Sequence, residues 1–346
     1  MKRAYAAVLG TAGLFLLVQL GALALVEPFM AAGYQPVEDP SDPVNVLVYV
    51  GAILAMTLVL LVAIRFDVTR VIQGLIIFAS VFISFYVFSV LLPAVVVISG
   101  VDVLAVVVAL GLGIALLAYP EWYVIDSVGV VMGAGASALF GISFGLLPAI
   151  AFLIVLAVYD AISVYGTEHM LALASGVMEL RLPIVLVVPM RLSYSFLEEG
   201  GPDSLERDAS ADESNEGDAQ PTSDDVTAAV EDEEGADEGA LDNERSALFI
   251  GLGDTIIPTI LVVSAAFFRP GDAAILDIPG ISLTVPAAGA IVGTIAGLLV
   301  LEGLVLKGRP HAGLPLLNGG AIAGYLVATI VVGIDLVEAL GVGPYL

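Results

Sequence analysis

The sequence contains no cysteine and only two histidines, His169 and His311. Without cysteine there is neither a disulfide framework nor a thiolate metal site. Two histidines do not build a multi-histidine centre, and these two, near the expected ends of spans, read as wetted side chains. Charge is scarce too: 14% of residues are charged, against about a quarter in a soluble globular domain. What fills the gap is apolar. Of 346 residues, 59% are hydrophobic, and the mean hydropathy is +1.03. So much apolar side chain has no hiding place in a soluble chain of this size, and the sequence reads as an all-α polytopic membrane protein. Soluble enzymes, nucleic-acid binders and disulfide-stapled secreted domains are excluded.

The net charge of −25 is concentrated in one place. Residues 193–245 hold 19 of the 36 acidic residues against two basic ones, Arg207 and Arg245, a local balance of −17. Such a run, with almost no aromatics, cannot bury enough surface to offset its ordering entropy and is expected to be a disordered loop. Dense carboxylates with few lysines also suit a protein from high salt.

A membrane-crossing helix needs about 20 mostly apolar residues. On that measure nine are expected, over 4–26, 44–64, 71–92, 101–118, 124–144, 146–168, 246–268, 284–306 and 312–333. The stretch 170–192 is apolar but interrupted by Arg181, Pro183, Pro189 and Arg191. It reads as an interfacial helix followed by an extended segment. The expected organisation is a six-helix region (1–168), the interfacial helix and strand (169–192), the acidic loop (193–245) and a three-helix region (246–346). With the N-terminus in the cytoplasm, Lys2, Arg3, Arg65, Arg70, Arg181, Arg191, Arg207, Arg245, Lys307 and Arg309 fall inside, and only Arg269 falls outside. That balance favours nine crossings of the cell membrane with the C-terminus outside. Ala22-Leu23-Ala24 resembles a signal-peptide cleavage site, but the apolar run before it is longer than such a peptide needs, so the first span is expected to be retained.

Small residues recur every fourth position at Gly129, Gly133, Ser137, Gly141 and Gly145, and again at Gly289, Gly293 and Gly297. This spacing lines one helix face and predicts close helix packing.

Ionisable groups inside a span are costly and are functional candidates by default. Asp160 and Asp254 stand out, each eight residues from the cytoplasmic end of its expected span, or about 12 Å at 1.5 Å per residue. Antiparallel neighbours would bring them level. Two facing carboxylates in a low-dielectric site share a proton, so one serves as general base on a water and the other as general acid. Gly251 and Gly253 leave space for approach to Asp254. Depth alone fits a sodium- or proton-coupled transporter equally well. Glu302 and Asp102, near span ends, are expected at the interface.

Tyr159-Asp160 on one span and Gly251-Leu252-Gly253-Asp254 on the next resemble the YD and GxGD motifs of presenilins and signal peptide peptidases. Around them, Tyr159-Asp160-Ala161-Ile162-Ser163-Val164-Tyr165, Glu168-His169-Met170 and Gly176-Val177-Met178-Glu179-Leu180-Arg181-Leu182-Pro183 look like archaeal presenilin homologues. So does Gly313-Leu314-Pro315-Leu316-Leu317-Asn318, at the place of the family's PAL motif. Prepilin peptidases share a GxGD, but with a lysine where Ile256 stands here. The resemblance covers nearly the whole chain and implies a presenilin-like bundle. It also implies an intramembrane aspartyl protease with Asp160 and Asp254 as its dyad and Tyr159 in support. The expected partners are membrane-spanning protein substrates and the lipid bilayer, with no cofactor, metal, nucleic acid or obligate subunit. One departure is visible: the PAL position reads Ala312-Gly313-Leu314, which bears on substrate preference more than on the chemistry.

A helical substrate must unwind before its carbonyl is attacked. Ile184-Val185-Leu186-Val187-Val188, bounded by Pro183 and Pro189, is a strand signal. It is expected either to pair with an extended substrate or to be a buried connector. Ala312-Gly313-Leu314-Pro315 would form the opposite edge.

Overall fold

The structure, a computed structural model, describes residues 2–35, 37, 39–66, 69–166, 185–190, 194–195, 247–273, 275–278, 280–305 and 312–343. His169, His311, Ile184, the expected interfacial helix and all of the acidic loop except Tyr194 and Ser195 lie outside these residues.

Among the described residues, nine substantial helices follow one another: α1 (Lys2–Ala31), α2 (Val44–Arg65), α3 (Thr69–Leu91), α4 (Val103–Ala118), α5 (Trp122–Ser143), α6 (Leu146–Gly166), α7 (Leu252–Phe267), α8 (Val285–Val305) and α9 (Gly313–Val331). A short α10 (Leu336–Ala339) closes the described chain. Three two-stranded antiparallel sheets lie between helices: β1 (Val97–Ile98) with β2 (Val101–Asp102), β3 (Val185–Pro189) with β4 (Ala247–Gly251), and β5 (Ile275–Ile278) with β6 (Ile281–Thr284). Seven helices are long and apolar enough to cross a membrane; α4 and α7, at 16 residues each, are shorter. Sixteen residues span about 24 Å, less than the roughly 30 Å of hydrocarbon.

The largest correction falls at the seventh span. The expected helix over 246–268 begins only at Leu252, because Ala247–Gly251 forms β4. Its ladder with β3 runs from Val185 opposite Gly251 to Pro189 opposite Ala247. Non-helical backbone survives at membrane depth only where protein satisfies its polar groups, and the β3–β4 pairing does so. Asp254 therefore stands in the first turn of α7 rather than well inside a helix.

Contacts between turns sort the chain to two ends. At one end, Ala7 of α1 packs with Val188 and Leu248 of the β3–β4 sheet. There Ser195 also donates to Glu121, between α4 and α5, at 2.6 Å. At the other end, Gln35 donates to the Ile142 carbonyl (2.8 Å), Gly145 N–H to Pro40 (2.8 Å) and Ser282 of β6 to Glu27 (2.9 Å).

In lipid, lateral packing depends on close backbone approach more than on hydrophobicity, and the glycine stripes supply it. The apolar window of α5 is 67% buried, that of α2 only 6%. Gly129 and Gly133 of α5 seat Leu186 of β3, Leu252 of α7 and Val18 of α1, while Gly141 abuts Val263 and the Ile260 carbonyl of α7. Ser137 adds a hydrogen bond to the Ile256 carbonyl (3.3 Å). Helices α8 and α9 are closer still. A Cβ on Gly289, Gly293 or Gly297 would collide with the carbonyl of Gly324, Gly320 or Leu316, respectively. This pair fixes where the start of α9 lies.

Candidate active site

Three polar contacts along α6 hold the start of α9. Asn318 of α9 donates to the Leu153 carbonyl at 2.9 Å, Leu314 N–H to Asp160 Oδ2 at 3.0 Å, and Ala312 N–H to the Tyr165 hydroxyl at 3.3 Å. The cause is local. The first N–H groups of a helix have no intrahelical acceptor, and Ala312, the residue capping α9, offers none. Asp160 supplies the missing cap from another helix, taking the N–H groups of Leu314 and Gly313. Negative charge at a helix N-terminus is also favoured by the helix dipole. Pro315 costs nothing here, because its missing N–H lies in the first turn. The Ala312-Gly313-Leu314-Pro315 segment is therefore a receptor for Asp160.

Asp254 reaches the same segment from the other side. It is the third residue of α7, and its Oδ2 lies 3.3 Å from where a Cβ on Gly313 would stand. A Cβ on Gly251 would meet the same oxygen at 3.3 Å. Glycine at both positions leaves the Asp254 carboxyl unobstructed between them. Asp160 and Asp254 are thus brought together at the Gly313-Leu314 turn, within electrostatic reach of each other. Asp160 is buried and Asp254 half-buried. Beside Asp254 opens a cavity of about 200 Å³, bounded by β4, α8 and Gly313.

The other expected residues divide. Around Gly253 a Cβ would find open space, so approach to Asp254 is clear on that side. Tyr159 is 43% exposed. Tyr165, six residues on, is more exposed still, at 66%, yet its hydroxyl accepts from Ala312 N–H at the site. Val185, Leu186, Val187 and Val188 lie in a strand as expected, and it runs on to Pro189. Its ladder partner, however, is β4 of the same chain. Its other edge is engaged too, since Val187 N–H donates to Asp126 Oδ1 of α5 at 2.7 Å. Direct pairing of a substrate with β3 would have to displace one or the other.

Glu302 stands near the end of α8 and faces inward: it is 5% exposed and lines the cavity with Asp254. Asp102 does stand at a helix end, where Oδ1 caps α4 by accepting from Leu104 N–H at 2.9 Å. Nothing in the apolar pattern singled out Tyr165, Asp126, Asn318 or the burial of Glu302, since each depends on which helix faces which. Among the described residues no group of three histidine, aspartate or glutamate side chains is arranged to hold a metal ion.

Comparison with known proteins shows the family. The family described as signal-peptide peptidase, presenilin aspartyl protease matches residues 12–334. Among solved structures, a presenilin family intramembrane aspartate protease crystallised in space group C222 is similar, with a TM-score of 0.61 and 35% identity, over 94% of this chain and 99% of that one. The structure of a presenilin family intramembrane aspartate protease in space group P2 gives 0.59 and 34%, over 93% and 97%. No functionally curated protein matches the sequence. The ion-coupled transporter that two intramembrane aspartates would also suit finds no support in these likenesses. The chain belongs to the signal-peptide peptidase and presenilin family of intramembrane aspartyl proteases, and is a hydrolase of that family.

Proposed function

We propose that Asp160 and Asp254 are the catalytic dyad of an endopeptidase that hydrolyses peptide bonds within membrane-spanning segments of other proteins. The observation that carries this is the convergence of two carboxyls from different helices on one turn, Gly313-Leu314, next to a cavity. A carboxyl pair in a low-dielectric site holds one proton between them. The ionised member takes a proton from water as the water oxygen attacks the peptide carbonyl. The protonated member hydrogen-bonds the carbonyl oxygen as it becomes an oxyanion, and a proton is then delivered to the departing amine as the C–N bond breaks. Leu314 N–H keeps Asp160 oriented throughout.

The substrate enters unwound, its cut bond lying between β4 and the Ala312–Pro315 segment. The β3–β4 sheet is the template, with β3 (Val185–Val188) acting through β4, since β3 itself is engaged on both sides. All nine of the substantial helices described cross the membrane, the shorter α7 being extended by β4. The dyad lies toward the cytoplasmic end, as the distribution of lysine and arginine argues.

The test is cleavage of a single-span reporter by the purified protein in detergent or liposomes without an ion gradient. Wild type should cut and be blocked by aspartyl-protease transition-state analogues, while Asp160→Asn and Asp254→Asn should not cut. Cleavage by both variants would refute the dyad. Deleting 184–188 should abolish cutting while the protein stays folded; full activity after that deletion would remove the sheet from the mechanism.

A further inference from the structure

Two carboxyls line the cavity, and the proteolysis reading uses one of them, Asp254. The other, Glu302, lies one turn before the described end of α8 and is 5% exposed. Neither Oε1 nor Oε2 has a hydrogen-bond partner among the described residues. Thr11 stands beside it on α1, and its one hydroxyl proton also has the Ala7 carbonyl within reach at 3.0 Å. A buried carboxyl short of donors is expensive, and a leucine would fill an apolar helix face at lower cost. Among the described residues the side chain therefore stands in an incomplete site.

We propose that Glu302 is a specificity-determining residue that receives a lysine or arginine side chain of the substrate, carried close to the bond that is cut. The proposal rests on the proteolysis reading and adds to it the substrate feature that the site selects. The cavity of about 200 Å³ is sized for a side chain, and its lining suits a long basic one. Leu248 and Ile250 of β4 with Leu301 and Val305 of α8 offer an apolar wall for an aliphatic stem, and Glu302 offers the charge for its head. Membrane-spanning segments carry lysine and arginine at their cytoplasmic flank. That flank belongs at the end of the bundle holding the β3–β4 sheet. A charge pair there satisfies both partners, where the carboxyl alone satisfies none.

The experiment uses the full chain and single-span reporters that differ at one residue, scanned over the positions flanking the cut and carrying lysine, methionine or glutamate. At one position wild type should cleave the lysine reporter with kcat/KM at least about tenfold above the methionine reporter, the size expected when a buried polar group is left unpaired. Glu302→Leu should level the two, nearly isosteric Glu302→Gln should narrow the gap, and Glu302→Arg should turn the preference toward glutamate. Binding of a transition-state analogue checks that each variant is folded. Should Glu302→Leu fail to fold, Glu302→Gln carries the test. Equal cleavage of all reporters by wild type, or a lysine preference that Glu302→Gln leaves intact, overturns the proposal and leaves proteolysis standing. A wild type that cuts no reporter overturns both.

Discussion

Asp160 and Asp254 are the same side chain at matching places in their motifs, yet the two sides of the site are built on different principles. On the Asp160 side, the carboxyl is buried late in a long helix and anchored, since α9 hands it the N–H groups its own N-terminus cannot satisfy. On the Asp254 side, the carboxyl stands in the first turn of a short helix, with glycine to either side and a cavity in front. The first is held by a hydrogen bond; the second is given room. A site that must both orient a water and admit a substrate needs one rigid wall and one open one. The neighbours follow the same division, with Tyr165 and Asn318 bracing the rigid wall and Gly251, Gly253 and Glu302 lining the open one.

The strongest way to break this contrast is to remove either acid. Asp160→Ala and Asp254→Ala should each lower reporter cleavage by about a thousandfold or more, because neither carboxyl alone supplies both acid and base. Asp160→Ala should additionally lower the melting temperature in detergent, since it uncaps α9 at about 1 kcal/mol; equal melting temperatures for the two variants would erase the distinction. Next in size is Gly293→Val. Its side chain runs into the Gly320 carbonyl, so α8 and α9 must separate at a cost of about 1–3 kcal/mol. Thermal unfolding should fall, and activity with it, without any contact to the dyad.

Gly313→Ala probes the open wall directly. Its Cβ would lie 3.3 Å from Asp254 Oδ2 and 3.5 Å from Leu301 Cδ2. Cleavage should fall several-fold, with the melting temperature nearly unchanged. The smallest effects separate the two tyrosines. Tyr165→Phe removes the acceptor for Ala312 N–H, a hydrogen bond of about 1 kcal/mol, and should slow cleavage up to about fivefold. Tyr159→Phe should weaken cleavage less, because the hydroxyl that meets the start of α9 is that of Tyr165. A reversed order in the kinetics of the two variants would mean that the site is braced through Tyr159.

Much of this molecule was legible before folding, and the boundary of what was legible has a physical cause. Long apolar stretches announce membrane helices because the bilayer sets their length. A lone aspartate inside such a stretch announces a function because burial is costly. The β-branched run between two prolines announced β3 within one residue. The beginning of α7 was misread because Ala247-Leu248-Phe249-Ile250 is apolar enough for either a span or a strand. Only pairing with β3 decides between them. For Glu302, distance from a helix end gives depth and not direction, and only the fold turns its carboxyl toward the cavity.

The chain by itself determined that it is a helical membrane protein with two costly acids on successive spans, since composition and periodicity follow from transfer free energies that every residue carries alone. The tertiary structure decided which groups answer those acids. Asp160 caps α9 by accepting from Leu314 N–H, 154 residues further along, Asp254 is bounded by glycines from β4 and α9, and Glu302 turns into the cavity beside Asp254. Such contacts are properties of how helices cross, and no single stretch of sequence encodes a crossing.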